Sequence, residues 1–300
     1  MLRRHFLTLP AAALAKAATQ QTVALTIDDF AWRPLAEHRK GQWQDALLEP
    51  LRKRNVKAAA FVAGSNVDDP EGKALVKRWL DAGHLIGNHT YAHRPYHRTP
   101  FKEFSADVLK NDAFLKAQGV KPKFFRFPML REGETREKRD AMRAFLKTHG
   151  YANGSVTIDT SDWYIDQRLR SALKANPQKP LDNYRVFYIG HMLDRSRFYT
   201  GVANSVGVAA PHTLLLHYNL LNALFLEDLM KAFEDRGGFK WIDAATAFAD
   251  PLFKTNPDVV PAGESILYAI AHEKKKLPKD APYPMEDGDQ LKAPMDALGL

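Results

Sequence analysis

Short apolar runs alternate with helically spaced ones along most of this chain. Val23–Ile27 is a compact, β-branched run that ends at Asp28-Asp29, the pattern of a strand buried on both faces. Trp43, Ala46, Leu47 and Leu51 then recur at helical spacing, predicting a helix over Trp43–Arg54. Strands follow at Lys57–Val62, His84–Gly87, Phe124–Phe127, Gly154–Ile158, Leu214–His217 and Phe239–Ile242. Helices are expected between them at Pro70–Ala82, Phe101–Gln118, Thr135–His149 and Asn219–Arg236. Each of these is stopped by a glycine: Gly83, Gly119, Gly150 and Gly237 respectively. Residues 165–212 break the rhythm with mostly helical sequence. Residues 251–300 form a Pro- and Lys-rich extension with one helix expected over Glu264–Lys275, read as a strap over the domain.

Polar motifs sit just after several of the strands. In parallel α/β barrels the chemistry gathers at the C-terminal ends of the strands, so this placement puts the motifs in one site. They are T-I-D-D-F at 26–30, H-T-Y-A-H at 89–93, R-F-P at 126–128, D-T-S-D-W-Y at 159–164 and L-L-H at 215–217.

Composition narrows the picture. With 300 residues and 45% hydrophobic content the chain can build one large core. The net charge of +8 is spread among acidic residues, with no basic, aromatic-rich stripe of the kind that binds nucleic acid. There is no cysteine, which excludes disulfides and thiolate metal sites, so any metal must be held by His and carboxylates. Residues 1–18 read as a signal peptide: Arg3-Arg4 opens a twin-arginine-like R-R-H-F-L, and an alanine-rich stretch offers small-residue cleavage sites. Export to the periplasm or the extracellular space is the expectation. No later stretch reaches the ~18 continuous apolar residues of a membrane helix, so no stable membrane insertion is expected.

His89 and His93 fall on one face if the turn between them is helical, and one added carboxylate completes a two-His-one-carboxylate metal site with open positions. Surface histidines explain most isolated H-x-x-x-H spacings; here the other motifs supply the context. Asp28 and Asp29 are like charges that resist joint ionisation without a nearby cation. A metal on one and an arginine on the other resolves the conflict, leaving one carboxylate to take a proton from water. The fork of Arg126 suits a carboxylate. Asp162 is a candidate to orient either Arg126 or His217, while Asp159 reads equally as a turn cap. Trp163 and Tyr164 suit a sugar groove or the core. His84, His97, His191 and His212 lack such context and read as structural or exposed.

Taken together and in order, the five motifs resemble those of the NodB-homology polysaccharide deacetylases, the family-four carbohydrate esterases, over roughly residues 22–245. The resemblance implies an α/β fold, a distorted (β/α)7-type barrel, here with a helical insertion at 165–212 and a C-terminal strap; the barrel would span residues 19–250. It implies Asp29, His89 and His93 as ligands of one divalent metal ion, zinc first, with cobalt, nickel or manganese suiting the same ligands. By the same resemblance Asp28 is the general base, Arg126 holds it, Asp162 supports the charge network and His217 is the general acid. Leu215 would line the acetyl-methyl pocket, and the Met129 backbone N–H would bind the oxyanion. The implied substrate is an acetylated carbohydrate, hydrolysed at an N- or O-acetyl group. Phe30 and Met129-Leu130 depart from the family pattern at positions expected to border the groove. A hydrolase of a non-carbohydrate amide and an inactive carbohydrate-binding relative are the competing readings; retention of the metal triad, Asp28 and His217 argues against both.

Overall fold

The computed structural model describes residues 20–278, 281 and 287–300. The expected signal peptide lies outside the described residues. The centre is a curled, all-parallel seven-stranded sheet: β1 (Gln21–Asp29), β2 (Ala59–Val62), β3 (Leu85–Asn88), β4 (Phe124–Phe125), β6 (Ala152–Asn153), β7 (His212–His217) and β8 (Phe239–Trp241). The order is β6-β4-β3-β2-β1-β7, with β8 paired to the N-terminal half of β1. The sheet forms a half-barrel wrapped by helices, the distorted (β/α)7-type fold expected. A second, antiparallel pair joins β5 (Arg131–Gly133) to β9 (Ala262–Gly263).

Helices cover the sheet, so β1 and β2 are apolar on both faces: Val23 to Asp28 and all four β2 residues are buried. Helix boundaries follow local chemistry. Asp69 accepts a hydrogen bond from the Gly72 N–H at 2.7 Å and starts the helix Pro70–Asp81, whose Leu75, Val76 and Trp79 face the core. Thr135 caps the helix Arg136–Thr148 in the same way.

Several expected boundaries shift. The helix expected from Trp43 begins at Leu48; residues 44–47 form a turn. Phe124–Phe127 pairs only over its first two residues. The strand expected at Gly154–Ile158 is irregular. Pairing to β4 occurs one step earlier, at Ala152–Asn153, and the chain then crosses to β7, where Ile158 N–H donates to Thr213 O at 3.0 Å. Gly154 begins this crossing because Phe61 fills the space beside it: a Cβ there would lie 2.2 Å from the Phe61 ring.

The 165–212 interruption is largely two helices, Asp162–Ala175 and Asp182–Val206. The first starts inside the motif at Asp162. The C-terminal extension straps the domain as expected: Ile266–Glu273 packs on Asp182–Val206, and Asp287–Ala297 packs on Asp162–Ala175. The second of these helices was not anticipated from the pattern, nor was the β5–β9 pair.

Candidate active site

Strand register puts the chemistry on one rim. Asp28 is the direct neighbour of His217 across β1 and β7. Asp29, Val62, Asn88 and Phe125 form one row, and His89 and Arg126 each lie one residue beyond it. The side chains open into a cleft of about 420 Å³ lined by Asp28, Asp29, His89, His93, Met129, Leu130, Asp159, Thr160, Trp163, Leu215 and His217.

Asp29 Oδ1 lies 3.0 Å from His93 Nε2 and 3.4 Å from His89 Nε2. The three donor atoms fall within 4.8 Å of one another. The histidines do not meet through a helical turn. Residues 89–93 form a loop, with left-handed backbone at Thr90 (φ 62°) and His93 (φ 51°). Asp29 is left-handed as well, at φ 74°. Such conformations cost non-glycine residues on the order of 1 kcal/mol or more each. His89 Nδ1 sits 2.8 Å from the Arg126 carbonyl, which can only accept, so that nitrogen carries the proton and Nε2 presents its lone pair to Asp29. Buried Asp29 Oδ1 has no hydrogen bond. Burial alone would raise the Asp29 carboxyl; the neighbouring imidazoles, His93 foremost, outweigh it and hold the group well below its ordinary value. An unbonded carboxylate oxygen facing two imidazole nitrogens is a donor set that fits a divalent cation.

Asp28 is held from behind. Arg126 Nη1 donates to its Oδ1 at 2.6 Å and to Thr26 Oγ1 at 2.9 Å, while Nε donates to Gly154 O at 2.7 Å. The guanidinium lies 3.9 Å over the Phe61 ring. Burial works to lower the Arg126 pKa and the Asp28 carboxylate works against that.

Across the cleft, His217 Nδ1 is 2.7 Å from Asp162 Oδ1. Asp162 therefore orients His217 and not Arg126. Its other oxygen accepts from the His217 N–H, Asn219 Nδ2 and Asn222 Nδ2 at 2.7–2.9 Å. Burial works to lower the His217 pKa, but Asp162, reinforced by Asp29 and Asp28, raises it to about 10. Asn219 also caps the helix Leu220–Asp235. The sequence reading missed both asparagines; their only signal was the polar pair in Y-N-L-L-N, directly after L-L-H.

Leu215 forms a small buried apolar cluster with Leu130 and Val156. Met129 and Leu130 are left-handed (φ 54° and 53°), and Met129 stands exposed at the mouth. Trp163 lines the cleft and is 44% exposed, whereas Tyr164 is turned onto the core and is not among the cleft walls. Phe30 does not border the groove. It is fully buried between Trp79 and Tyr218, with ring centroids at 5.1 and 4.8 Å. Asp159 is at the cleft edge and its carbonyl accepts from Arg195 Nε at 3.0 Å. Three of the histidines read as structural are so: His84 Nδ1 accepts from the Ala58 N–H, His191 Nε2 from the Ser161 N–H, and His212 Nδ1 contacts Thr157 Oγ1.

Residues 15–153 match the polysaccharide deacetylase family. The match places that family's domain in the first half of this chain. A peptidoglycan-N-acetylglucosamine deacetylase of Bacillus cereus is 33% identical over 145 residues, 47% of this chain and 46% of that protein. The chain thus spans less than half the length of this curated relative. Among solved structures, a polysaccharide deacetylase of Bacillus cereus shares the fold with a TM-score of 0.53 at 20% identity, covering 74% of this chain and 91% of that one. A family-four carbohydrate esterase pseudoenzyme of Bacillus anthracis is also similar, with a TM-score of 0.52 at 20% identity over 76% of this chain and 66% of that one. A neighbour of that kind means that the fold does not decide activity; the side chains must.

Proposed function

We propose that this protein hydrolyses the N-acetyl group of an amino-sugar polymer or oligomer, using one divalent metal ion held by Asp29, His89 and His93. The observation that carries this reading is the convergence, on one cleft, of that donor set with Arg126-held Asp28 on one side and Asp162-held His217 on the other. A bound cation supplies a Lewis acid that polarises the acyl carbonyl and makes water more acidic. Zinc is the first expectation for such ligands, with cobalt, nickel or manganese as alternatives.

Asp28 takes a proton from the attacking water. Arg126 pins its Oδ1, and its Oδ2, 3.8 Å from His89 Nε2, lies beside the donor set. Leu215 and Leu130, backed by buried Val156, form an apolar wall that suits the acetyl methyl, and the Met129 backbone N–H is the oxyanion donor of this reading. His217, kept protonated at neutral pH by Asp162, gives its proton to the departing nitrogen as the C–N bond breaks. The products are acetate and an amine; of the two protons shed by Asp28 and the nascent acetic acid, one is matched by the proton that restores His217 and the other by protonation of the amine. Trp163 offers an exposed ring to a sugar face.

The similarity to a peptidoglycan deacetylase supports an N-acetylglucosamine-type substrate. Export through the N-terminal segment is part of the same proposal, since such polymers lie outside the cytoplasm. Among the described residues no helix is long and apolar enough to cross a membrane. The test is acetate release from N-acetylglucosamine oligomers and peptidoglycan by metal-reconstituted protein, with Asp28→Asn as control. Release that survives the substitution, or no release from any acetylated glycan, rejects the reading.

A further inference from the structure

The helix Asp182–Val206 lies within the segment that interrupts the strand–helix rhythm, yet it reaches the acid side of the cleft. Tyr188, fully buried on that helix, donates its hydroxyl to Asn222 Oδ1. Asn222 Nδ2 in turn donates to Asp162 Oδ2 at 2.7 Å and to the His217 carbonyl at 2.8 Å. Both of these partners are acceptors only. The NH₂ end of the amide must therefore face them, and its oxygen must face a donor. Tyr188 is that donor. Burial, with the charge of Asp162 nearby, holds the phenol well above its ordinary pKa, so it stays protonated. The chain Tyr188–Asn222–Asp162–His217 is buried at its first three members and ends at the group that faces the cleft.

We infer that Tyr188 is a positioning residue for the proton-donating histidine: its hydroxyl locks the Asn222 amide, which holds Asp162 and so fixes the direction of the His217 ring. The inserted helix is then a working part of the site. This inference rests on the reading of His217 as the acid.

Tyr188→Phe removes one hydroxyl and keeps the packed ring. The expected result is a fall in kcat of about 10-fold on an N-acetyl amide, with KM and metal content little changed, because small misplacement of a catalytic group costs up to about 10²-fold. An activated aryl acetate, whose leaving group needs no proton, should lose less than about 3-fold. Equal losses on the two substrates, or no loss on either, would overturn the inference. If Y188F melts below the assay temperature, N222S, which leaves Tyr188 in place, should show the same split between substrates and decides in the same way. The His217 ring N–H resonance, read by NMR, is independent of turnover. It should be slow to exchange in the wild type and exchange at least about 10-fold faster in Y188F; an unchanged rate overturns the positioning role even if the wild-type protein releases no acetate. Absence of acetate release with a faster-exchanging resonance would instead reject the deacetylase reading while retaining the positioning role.

Discussion

The two sides of the cleft are built on opposite principles. On one side Asp29, His89 and His93 face each other, Asp29 and His93 on left-handed backbone, and the Asp29 oxygen between them makes no hydrogen bond. On the other, Asp162 accepts four hydrogen bonds, through both of its oxygens, and His217 is fully oriented. The first side keeps lone pairs open, as the proposed cation would require. The second is complete by itself. On the proposed reading these two tasks are kept apart for a physical reason. A cation site must leave lone pairs open. A proton donor must be held in one direction with its charge compensated.

The largest effect should follow from breaking the open side. Asp29→Ala should remove the bound metal and lower acetate release on the order of 10³-fold, the scale of losing several kcal/mol of Lewis-acid assistance. Added zinc should raise the melting temperature of the wild type and leave this variant unmoved, since only a ligand that binds the native state stabilises it. A zinc-dependent shift in the variant would place the metal elsewhere. Without metal, the substitution should cost less stability than the loss of Asp162, because Asp29 gives up its attraction to the neighbouring imidazoles but strands no buried hydrogen-bond donors.

Asp162→Ala is the complementary break. It leaves the buried Asn219 amide and the His217 backbone and ring N–H groups without their acceptor and removes one of the two acceptors of the Asn222 amide, and should cost on the order of 3 kcal/mol, read by denaturant unfolding. If the two alanine variants destabilise the metal-free protein equally, the contrast between the sides fails. Asp28→Asn, between them, should lower turnover by about 10²–10⁴-fold with metal content kept. His217→Ala should cost roughly 10²-fold on amides and far less on activated esters.

Histidine protonation sharpens the contrast in pH. His217, raised to about 10, is protonated in the folded state at neutral pH. Its stabilising contribution is fully present below the ordinary histidine value near 6.5 and is lost as pH rises through about 10. His84 and His212 are buried and lowered to about 4, chiefly by desolvation. The unfolded chain binds protons there that the folded one does not, so stability should fall as pH drops from 6.5 towards 4, by on the order of 3 kcal/mol for each. His191, lowered to about 3 by the same burial, acts in the same direction, so replacing His84, His191 and His212 by Gln should flatten that acid limb of a melting-temperature profile; an unaltered limb would assign it to carboxylates. The smallest effect is expected at the rim: Trp163→Ala should raise KM about 5-fold with kcat unchanged, as befits one exposed aromatic face.

The alternation of apolar runs and helical spacing determined the α/β fold, because period and burial are local properties of the chain. The ordered motifs named the side chains that gather at the rim, because chemistry collects where parallel strands end. What the tertiary structure alone decided depends on distant backbone. Asp162 serves His217 because β7 lies beside the 157–158 crossing, which brings residues 55 apart in sequence within 2.7 Å. Asn219 and Asn222 join them only through the helix that follows β7. The His89–His93 loop needed left-handed residues that no propensity foretells. Phe30 went inward because Trp79 and Tyr218 enclose it, and Tyr164 turned onto the core while its neighbour Trp163 faces the cleft. Hydrogen-bond partners and side-chain direction are set by what packs opposite, and that neighbour is not written in the adjacent sequence.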